Sequence, residues 1–370
     1  MEIINNNNQT IYLGDDSITA LSQLLSAQKL VFIVHGGTYQ KSDLKRTIDS
    51  LPIETFCFSG FSSNPKYEEV KEGVCHFKQK KYDCILSVGG GSAIDTAKNI
   101  LLFTSQENDQ FNESVFHIAI PTTAGTGSES NCNSVMYKNG VKQSISNEFI
   151  LPEYAFLLPA LISSLPEYQK KSTFSDAFCQ CIESIWAVDS NDESVEYASK
   201  GLTLLIENMD LYFSGDKQVY EKILLGANYS GRAINISKTT AAHAMSYKPS
   251  SLYGIAHGHS VSIFLPLIFD YVIDNIDSAR NDSVNSPELW LRSRLDIISS
   301  IINHGDSDYY YTSELIKQIL YKMMNYKTVK CNSEYELKEL VSSVNPERLN
   351  NNPVQLDKQT IEFIYRQALI

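Results

Sequence analysis

Two histidines enclose a short stretch of the chain, HAMSYKPSSLYGIAH, which runs from His243 to His257. The chain has only seven histidines in 370 residues, so two at this spacing call for a chemical explanation. Earlier, Asp176 opens the segment DAFCQCIES, and Gln180 follows four residues later, on the same face of a helix. One carboxylate and two imidazoles form the ligand set of a catalytic divalent metal ion. A separation of fourteen residues matches no established metal motif, however, and two ordinary buried histidines remain the alternative.

Glycine-rich turns form a second group of candidate residues. The segment SVGGGSAIDTAK places Gly90, Gly91 and Ser92 between a strand and the start of a helix, and PTTAGTGSES follows the next strand. Glycine lets a ligand approach the backbone, and a helix N-terminus attracts phosphate. Open α/β sheets bind ligands at the carboxyl ends of their strands. Two such turns at neighbouring strand ends favour a nucleotide crevice over two ordinary tight turns.

The elements that must position these residues follow two different patterns. KLVFIVHGG, IETFCFSGF, YDCILSVGG and VFHIAIPTT are continuous apolar runs separated by helical segments, which is typical of parallel strands buried on both faces. From about Lys170 onward, segments such as SVEYASKGLTLLIENMDLYF have helical periodicity. The sequence therefore predicts a Rossmann-like nucleotide-binding α/β domain over residues 1–168. It predicts an all-helical domain, binding metal and substrate, over residues 169–370.

Composition excludes several classes of function. The chain has 31 basic and 43 acidic residues, a net charge of −12, which argues against nucleic-acid binding. The start, MEIINNNNQT, lacks the basic and apolar regions of a secretory signal, and the longest apolar stretch is too short to span a bilayer. Seven cysteines without a CxxC pair favour reduced thiols. We expect a cytoplasmic protein with a small-molecule substrate and no nucleic-acid or membrane partner.

Taken together and in this order, the segments GGGSAIDTAK, PTTAGTGSE, DA…IE and H…HG…LP resemble the iron-containing alcohol dehydrogenase family. The resemblance implies a dehydroquinate synthase-like fold, with an N-terminal nucleotide-binding domain and a C-terminal helical domain that binds metal. It implies a homodimer that reduces an aldehyde with NADPH or NADH, aided by one divalent metal ion, for which Fe2+ is favoured and Zn2+ is the alternative. It places the metal ligands at Asp176, Gln180, His243 and His257. It places the cofactor at Gly36, Asn64, Gly90, Gly91, Ser92, Asp95, Thr122, Thr123, Lys142 and Leu161.

The chain departs from the common family pattern at two positions. Gln180 and Tyr247 stand where the family usually has histidine, and a glutamine can ligate a metal only through its amide oxygen. Both departures, together with NPERLNNNPVQL near the C-terminus, resemble the branch that reduces phosphonoacetaldehyde to 2-hydroxyethylphosphonate. For the phosphonate we expect Lys248 to contribute to the catalytic site, beside the metal ligands, with Arg232 as a second candidate.

The type of nicotinamide cofactor follows from the residue after the strand KLVFIVH. An acidic side chain there would bind the ribose hydroxyls of NADH and repel a 2′-phosphate. Gly36 occupies that position, with Lys41 nearby, which favours NADPH.

Three other interpretations stay open at this point. The chain could be a dehydrogenase for another small aldehyde, or a sugar-phosphate cyclase resembling dehydroquinate synthase. It could also be a nucleotide-binding sensor with a decayed metal site.

Overall fold

The computed structural model describes residues 1–6, 8–107, 115–324 and 329–369. The chain divides into two compact units. The first comprises Met1–Leu165 and Leu211–Asn228, and the second comprises Pro166–Asp210 and Tyr229–Ile370. The predicted domain boundaries, 1–168 and 169–370, remain a prediction.

The first unit is built on strands connected by helices. Its strands are β1 (Glu2–Asn6), β2 (Gln9–Leu13), β3 (Leu30–His35), β4 (Glu54–Phe58), β5 (Cys84–Gly89), β6 (Phe116–Pro121), β7 (Asn133–Lys138), β8 (Val141–Ser146) and β9 (Tyr154–Leu157). Its helices are α1 (Ile18–Ser26), α2 (Gly37–Gln40), α3 (Asp43–Asp49), α4 (Tyr67–Phe77) and α5 (Gly91–Glu107). The four strands and the two long helices, α4 and α5, that the apolar pattern predicts in this region are confirmed.

Seven of these strands form one sheet in the order β1-β2-β9-β6-β5-β3-β4, and all pairs except β1-β2 are parallel. Apolar clusters cover both faces of the sheet, as its continuous apolar strands require. The order reverses between β3 and β5, because β4 lies beyond β3 on one side and β6 beyond β5 on the other. A parallel sheet binds ligands at such a switch point.

The second unit is helical, as predicted. Its helices are α6 (Glu167–Trp186), α7 (Asp192–Ser214), α8 (Tyr220–Ser237), α9 (Ala241–Tyr253), α10 (His257–Asp274), α11 (Pro287–Ile302), α12 (Tyr309–Met324), α13 (Glu334–Ser342), α14 (Pro346–Asn350) and α15 (Lys358–Leu369). The end of α7 and the start of α8 belong to the first unit. Helix α10 packs against both α6 and α9, so these three helices can bring side chains to one point. None of the described helices is long and apolar enough to cross a membrane.

A buried lysine holds the glycine-containing segment after β6 in place. Lys98 on α5 is fully buried, and its Nζ donates hydrogen bonds to the carbonyl oxygens of Ser128 (2.6 Å), Asn131 (2.7 Å) and Asn133 (2.8 Å). Burial lowers the pKa of Lys98 to about 8, although the nearby carboxylate of Asp95 opposes this shift. The lysine thus supplies the donors that an irregular buried segment needs.

We expect Lys98→Met to lower the free energy of unfolding by ~3–5 kcal/mol, because three buried carbonyls lose their donor and the Asp95 carboxylate loses a neighbouring positive charge. Urea unfolding followed by circular dichroism measures this loss. Lys81→Ala, at an exposed position of the same unit, is the control and should stay within ~0.5 kcal/mol of the unmodified chain. Equal midpoints for the two variants would show that water or a rearranged backbone replaces the ammonium group.

Candidate functional site

Three sequence-predicted metal ligands lie together in the second unit. The ligand atoms of Asp176, His243 and His257 are all within 4.8 Å of one another. Oδ1 of Asp176 is 3.4 Å from Nε2 of His243 and 3.9 Å from Nε2 of His257. Asp176 and His243 are buried, whereas the side chain of His257 is 34% exposed. The cluster is therefore buried on the side of Asp176 and His243, and ligands can reach it on the side of His257.

A close approach of two helices creates this cluster. Asp176 lies in the middle of α6, and His257 is the first residue of α10. The next residue, Gly258, lies so close to α6 that a Cβ atom there would be 1.9 Å from the carbonyl oxygen of Ser172 and 2.9 Å from the backbone nitrogen of Asp176. Only glycine fits, so Gly258 allows the imidazole of His257 to reach the carboxylate.

Glu183 orients the second histidine. This fully buried residue on α6 places Oε2 against Nδ1 of His243, while Oε1 accepts hydrogen bonds at the start of α9. The donors to Oε1 are the backbone N–H groups of Thr240 (3.1 Å), Ala242 (3.0 Å) and His243 (3.3 Å), and the Thr240 hydroxyl (2.7 Å). With Nδ1 occupied, Nε2 is the ring atom of His243 left to face Asp176. Carboxylates commonly hold metal-binding histidines in this way.

The charges within the cluster suit a divalent cation. Burial alone would lower the pKa of His243, but Glu183 and Asp176 outweigh burial and raise that pKa to about 9. Conversely, His243 lowers the pKa of Glu183 against the effect of its burial. Nε2 of His243 is buried and makes no hydrogen bond to any described residue. A divalent metal ion would replace the proton and satisfy this nitrogen, because metals bind neutral imidazole.

The two residues that depart from the family pattern both lie at this cluster. Gln180 is buried on α6 one turn after Asp176, and its Oε1 accepts a hydrogen bond from the Ser230 hydroxyl at 2.8 Å. Its second lone pair is left for another partner. Tyr247 lies one turn after His243 on α9, and its ring stacks on that of His257 with centroids 5.9 Å apart.

The two cations proposed from the sequence have other contacts. Lys248 on α9 forms an ion pair with Glu339 at 2.6 Å, and it lies about 140° around the helix from His243. Arg232 is buried on α8 with its guanidinium 4.0 Å from the ring centroid of Tyr197, whose hydroxyl accepts a hydrogen bond from it. That either residue contacts substrate remains a prediction.

The predicted cofactor residues lie in the first unit, mainly at the sheet's switch point. The N–H group of Gly36, directly after β3, donates to the carbonyl of Val88 on β5 at 2.9 Å, so the ends of the two strands are adjacent. A Cβ atom at Gly90 would lie only 3.2 Å from the Thr123 side chain. A side chain at position 90 would therefore press against Thr123, and glycine keeps this space open. Gly91 begins α5, and Thr122, after β6, donates its N–H to Gly89 at 2.9 Å.

The other predicted cofactor residues have mainly structural contacts. The hydroxyl of Ser92 donates to the carbonyl of Ser63, beside the exposed Asn64. Asp95 accepts hydrogen bonds from the Ser128 hydroxyl and the Val135 N–H, and burial raises its pKa.

Two further predicted cofactor residues lie away from the glycine turns. Lys142 lies on β8, where its positive charge opposes the rise in the pKa of Asp95 that burial causes. Leu161 belongs to the apolar core. Whether any of the predicted residues binds the cofactor remains a prediction.

Sequence reasoning missed two residues of the metal cluster. Glu183 lies seven residues after Asp176, so Asp176, Gln180 and Glu183 share one face of α6, and this spacing is visible in the sequence. Gly258 follows a predicted ligand directly, but only the crossing of α6 and α10 shows why it must be glycine.

Comparisons with known proteins cover both units. Residues 8–159 match the model of iron-containing alcohol dehydrogenase, and residues 171–369 match the C-terminal model of the Fe-containing alcohol dehydrogenase family. The NADPH-dependent butanol dehydrogenase of Clostridium saccharobutylicum is 24% identical over 96% of this chain and 95% of its own length. The phosphonoacetaldehyde reductase of Streptomyces viridochromogenes is 28% identical over 51% of this chain and 53% of its own length.

A solved structure shows the same fold. The iron-containing alcohol dehydrogenase from Thermococcus thioreducens superposes with a TM-score of 0.84 at 23% identity, covering 99% of both chains. The two family models together match more than half of the chain. The chain therefore belongs to the iron-containing alcohol dehydrogenase family, whose members are NAD(P)-dependent oxidoreductases that act on CH–OH groups with a divalent metal ion.

Proposed function

We propose that this enzyme reduces phosphonoacetaldehyde to 2-hydroxyethylphosphonate, with NADPH as the preferred reductant and a divalent metal ion bound by Asp176, His243 and His257. In the balanced reaction, aldehyde, NADPH and one proton give alcohol and NADP+. The observation that carries the reductase function is the cluster of Asp176, His243 and His257, in which one carboxylate oxygen and two imidazole nitrogens lie within 4.8 Å of one another. We propose Gln180 as a fourth ligand through its amide oxygen.

The residues of the chain supply binding and orientation. When bound, the metal ion would polarise the aldehyde oxygen and the nicotinamide would supply the hydride. Glu183 keeps Nδ1 of His243 occupied, so that Nε2 faces the site. Tyr247 covers one face of the His257 ring and limits how that imidazole can turn. Both imidazoles are therefore held close to the orientation in which they would bind a metal ion.

Sequence similarity supports the substrate. The chain resembles a phosphonoacetaldehyde reductase over half its length, and the glutamine and tyrosine at positions 180 and 247 resemble that branch. Other relatives act on uncharged substrates, such as butanol in the relative from Clostridium saccharobutylicum. The charge of the preferred aldehyde therefore distinguishes our proposal from the alternative, a dehydrogenase for a small uncharged aldehyde.

We expect one divalent metal ion per chain, and we expect His257→Ala to abolish both metal binding and turnover. Glu183→Gln should retain the ligands but weaken metal affinity ~10–100-fold. The physical reason is that an amide NH2 facing Nδ1 would drive the histidine proton to Nε2, the ligating atom. Metal analysis and chelator competition measure metal binding, and aldehyde-dependent NADPH oxidation measures turnover.

His76→Ala, on the surface of α4, is the matched histidine control and should change neither quantity. Full activity in a strong chelator, with no metal detected, would contradict the metal proposal. If Glu183→Gln bound metal as tightly as the unmodified chain, Glu183 would serve only to begin α9.

Cofactor choice is tested at Gly36. Its backbone is extended (φ −84°, ψ −179°), and a Cβ atom there would meet nothing closer than 3.9 Å, so side chains are tolerated. We expect the unmodified chain to prefer NADPH and Gly36→Asp to shift the ratio of kcat/KM values toward NADH, because a carboxylate repels the 2′-phosphate. Gly36→Ala adds the Cβ without charge and should keep the NADPH preference. A higher kcat/KM with NADH in the unmodified chain would refute the argument.

The substrate proposal is tested with a matched pair of aldehydes. We expect a higher kcat/KM for phosphonoacetaldehyde than for propanal, measured as NADPH oxidation at saturating metal. A preference for propanal would contradict the phosphonate proposal and leave the family assignment unaffected.

A further inference from the structure

The first turn of α10 carries His257, and its backbone needs hydrogen-bond acceptors from outside the helix. The N–H groups at the start of any helix have no partners within that helix. Ala256 occupies the N-cap position of α10, and its methyl group cannot accept a hydrogen bond. Gly258 and His259, in the first turn, are buried away from solvent. The groups that supply the acceptors therefore fix the backbone from which the imidazole of His257 projects.

Two hydroxyl groups of α6 supply these acceptors. The hydroxyl of Tyr168 accepts the N–H of Ala256 at 3.0 Å, and its own proton can bond to Nδ1 of His259, which is also 3.0 Å away. Oγ of Ser172 accepts the N–H of His259 at 3.1 Å. The start of α10 is therefore capped by side chains of another helix, on both sides of His257 in the sequence.

Tyr168 and Ser172 precede Asp176 in a row of side chains along α6. The three positions are spaced four residues apart, so each side chain is the neighbour of the next on the helix surface. Ser172 lies where α6 and α10 approach most closely, since a Cβ atom at Gly258 would be 1.9 Å from its carbonyl oxygen. One helix therefore holds both the proposed carboxylate ligand and the start of the helix that brings His257 to it.

The two histidines of the cluster are held in different ways. Glu183 binds Nδ1 of His243 directly. The partly exposed ring of His257 stacks on Tyr247, which restricts the plane of the ring but does not fix the backbone that carries it. That backbone belongs to the first turn of α10. The two hydroxyls of α6 therefore do for the position of His257 what Glu183 does for the orientation of His243.

We infer that Tyr168 and Ser172 are positioning residues that hold the first turn of α10, and with it His257, in the place that metal binding requires. The inference rests on the proposed function, in which His257 is one of three metal ligands. Without either hydroxyl, the first turn of α10 would fray more readily. The apparent metal affinity would then fall in proportion to the fraction of chains in which His257 is in place.

The test compares Tyr168→Phe and Ser172→Ala with the unmodified chain, using Co2+ as the probe metal. Each variant removes one hydroxyl group and keeps most of the side chain. We expect each to weaken Co2+ binding by ~2–30-fold in chelator competition, which is the loss of a helix cap expressed as a ratio of equilibrium constants. The visible spectrum of bound Co2+ should stay that of the unmodified chain, because the same ligand atoms surround the ion once it is bound.

Amide hydrogen exchange, followed by mass spectrometry over residues 255–262, measures the fraying itself. In the metal-free chain, exchange in this segment should be faster in Tyr168→Phe and Ser172→Ala than in the unmodified chain. Saturating Co2+ should restore the protection, because the ion holds His257 in place. A residue that only stabilised the fold would not give a local effect that the metal reverses.

Two matched variants serve as controls. Tyr271→Phe removes a hydroxyl near the other end of α10, where it donates to the carbonyl of Gln355 at 2.9 Å. Thr173→Val removes a hydroxyl of α6 that donates to a carbonyl of its own helix, that of Gln169, at 2.9 Å. Both controls should bind Co2+ as tightly as the unmodified chain and leave exchange over residues 255–262 unchanged.

The outcomes separate this inference from the proposed function. If His257→Ala abolished Co2+ binding while Tyr168→Phe and Ser172→Ala left it unchanged, the proposed metal site would stand and this inference would be overturned. An equal loss of affinity in the two controls would overturn it as well. An unmodified chain that bound no Co2+ would refute the proposed metal site, and the role of the two hydroxyls with it.

Discussion

The buried carboxylate of Glu183 is the group on which the geometry of the histidine cluster depends. Burying a carboxylate is costly unless it is hydrogen-bonded and faces positive charge. Here Oε1 accepts three backbone N–H groups at the start of α9, the positive end of the helix dipole, while Oε2 binds Nδ1 of His243. One side chain thus fixes where α9 begins and which way the imidazole of His243 points.

Helix α6 sets the spacing around this carboxylate. Asp176, Gln180 and Glu183 follow one another at four and three residues, so a single helix face presents a carboxylate ligand, an amide and the group that positions His243. The approach of α10 at Gly258 then adds His257 from the other side. Asp176 is fixed in the middle of a long packed helix. A shift of α9 or α10 would therefore directly change the distances between the ligand atoms.

Much of this could be predicted from the sequence, because the features are local. Continuous apolar runs ending in glycine predict the central strands and their helices, and the proposed ligands Asp176, His243 and His257 do lie together. What could not be predicted depends on distant contacts. The β7-β8 hairpin carries short mixed strands with no clear period, and Lys98 looks like any helical lysine until its three carbonyl acceptors are known.

Local groups, rather than the net charge of the chain, determine whether this acidic protein can bind anions. The net charge is −12, yet a nicotinamide dinucleotide and the proposed aldehyde are both anionic. At physiological ionic strength, charges more than about 8 Å apart are largely screened, so groups at each site decide binding. At the switch point of the sheet, α5 begins at Gly91, and the N-terminus of a helix can bind a pyrophosphate without any cation. The proposed aldehyde carries a compact dianion, whose binding in a partly buried site would require charge-assisted hydrogen bonds from a cationic side chain.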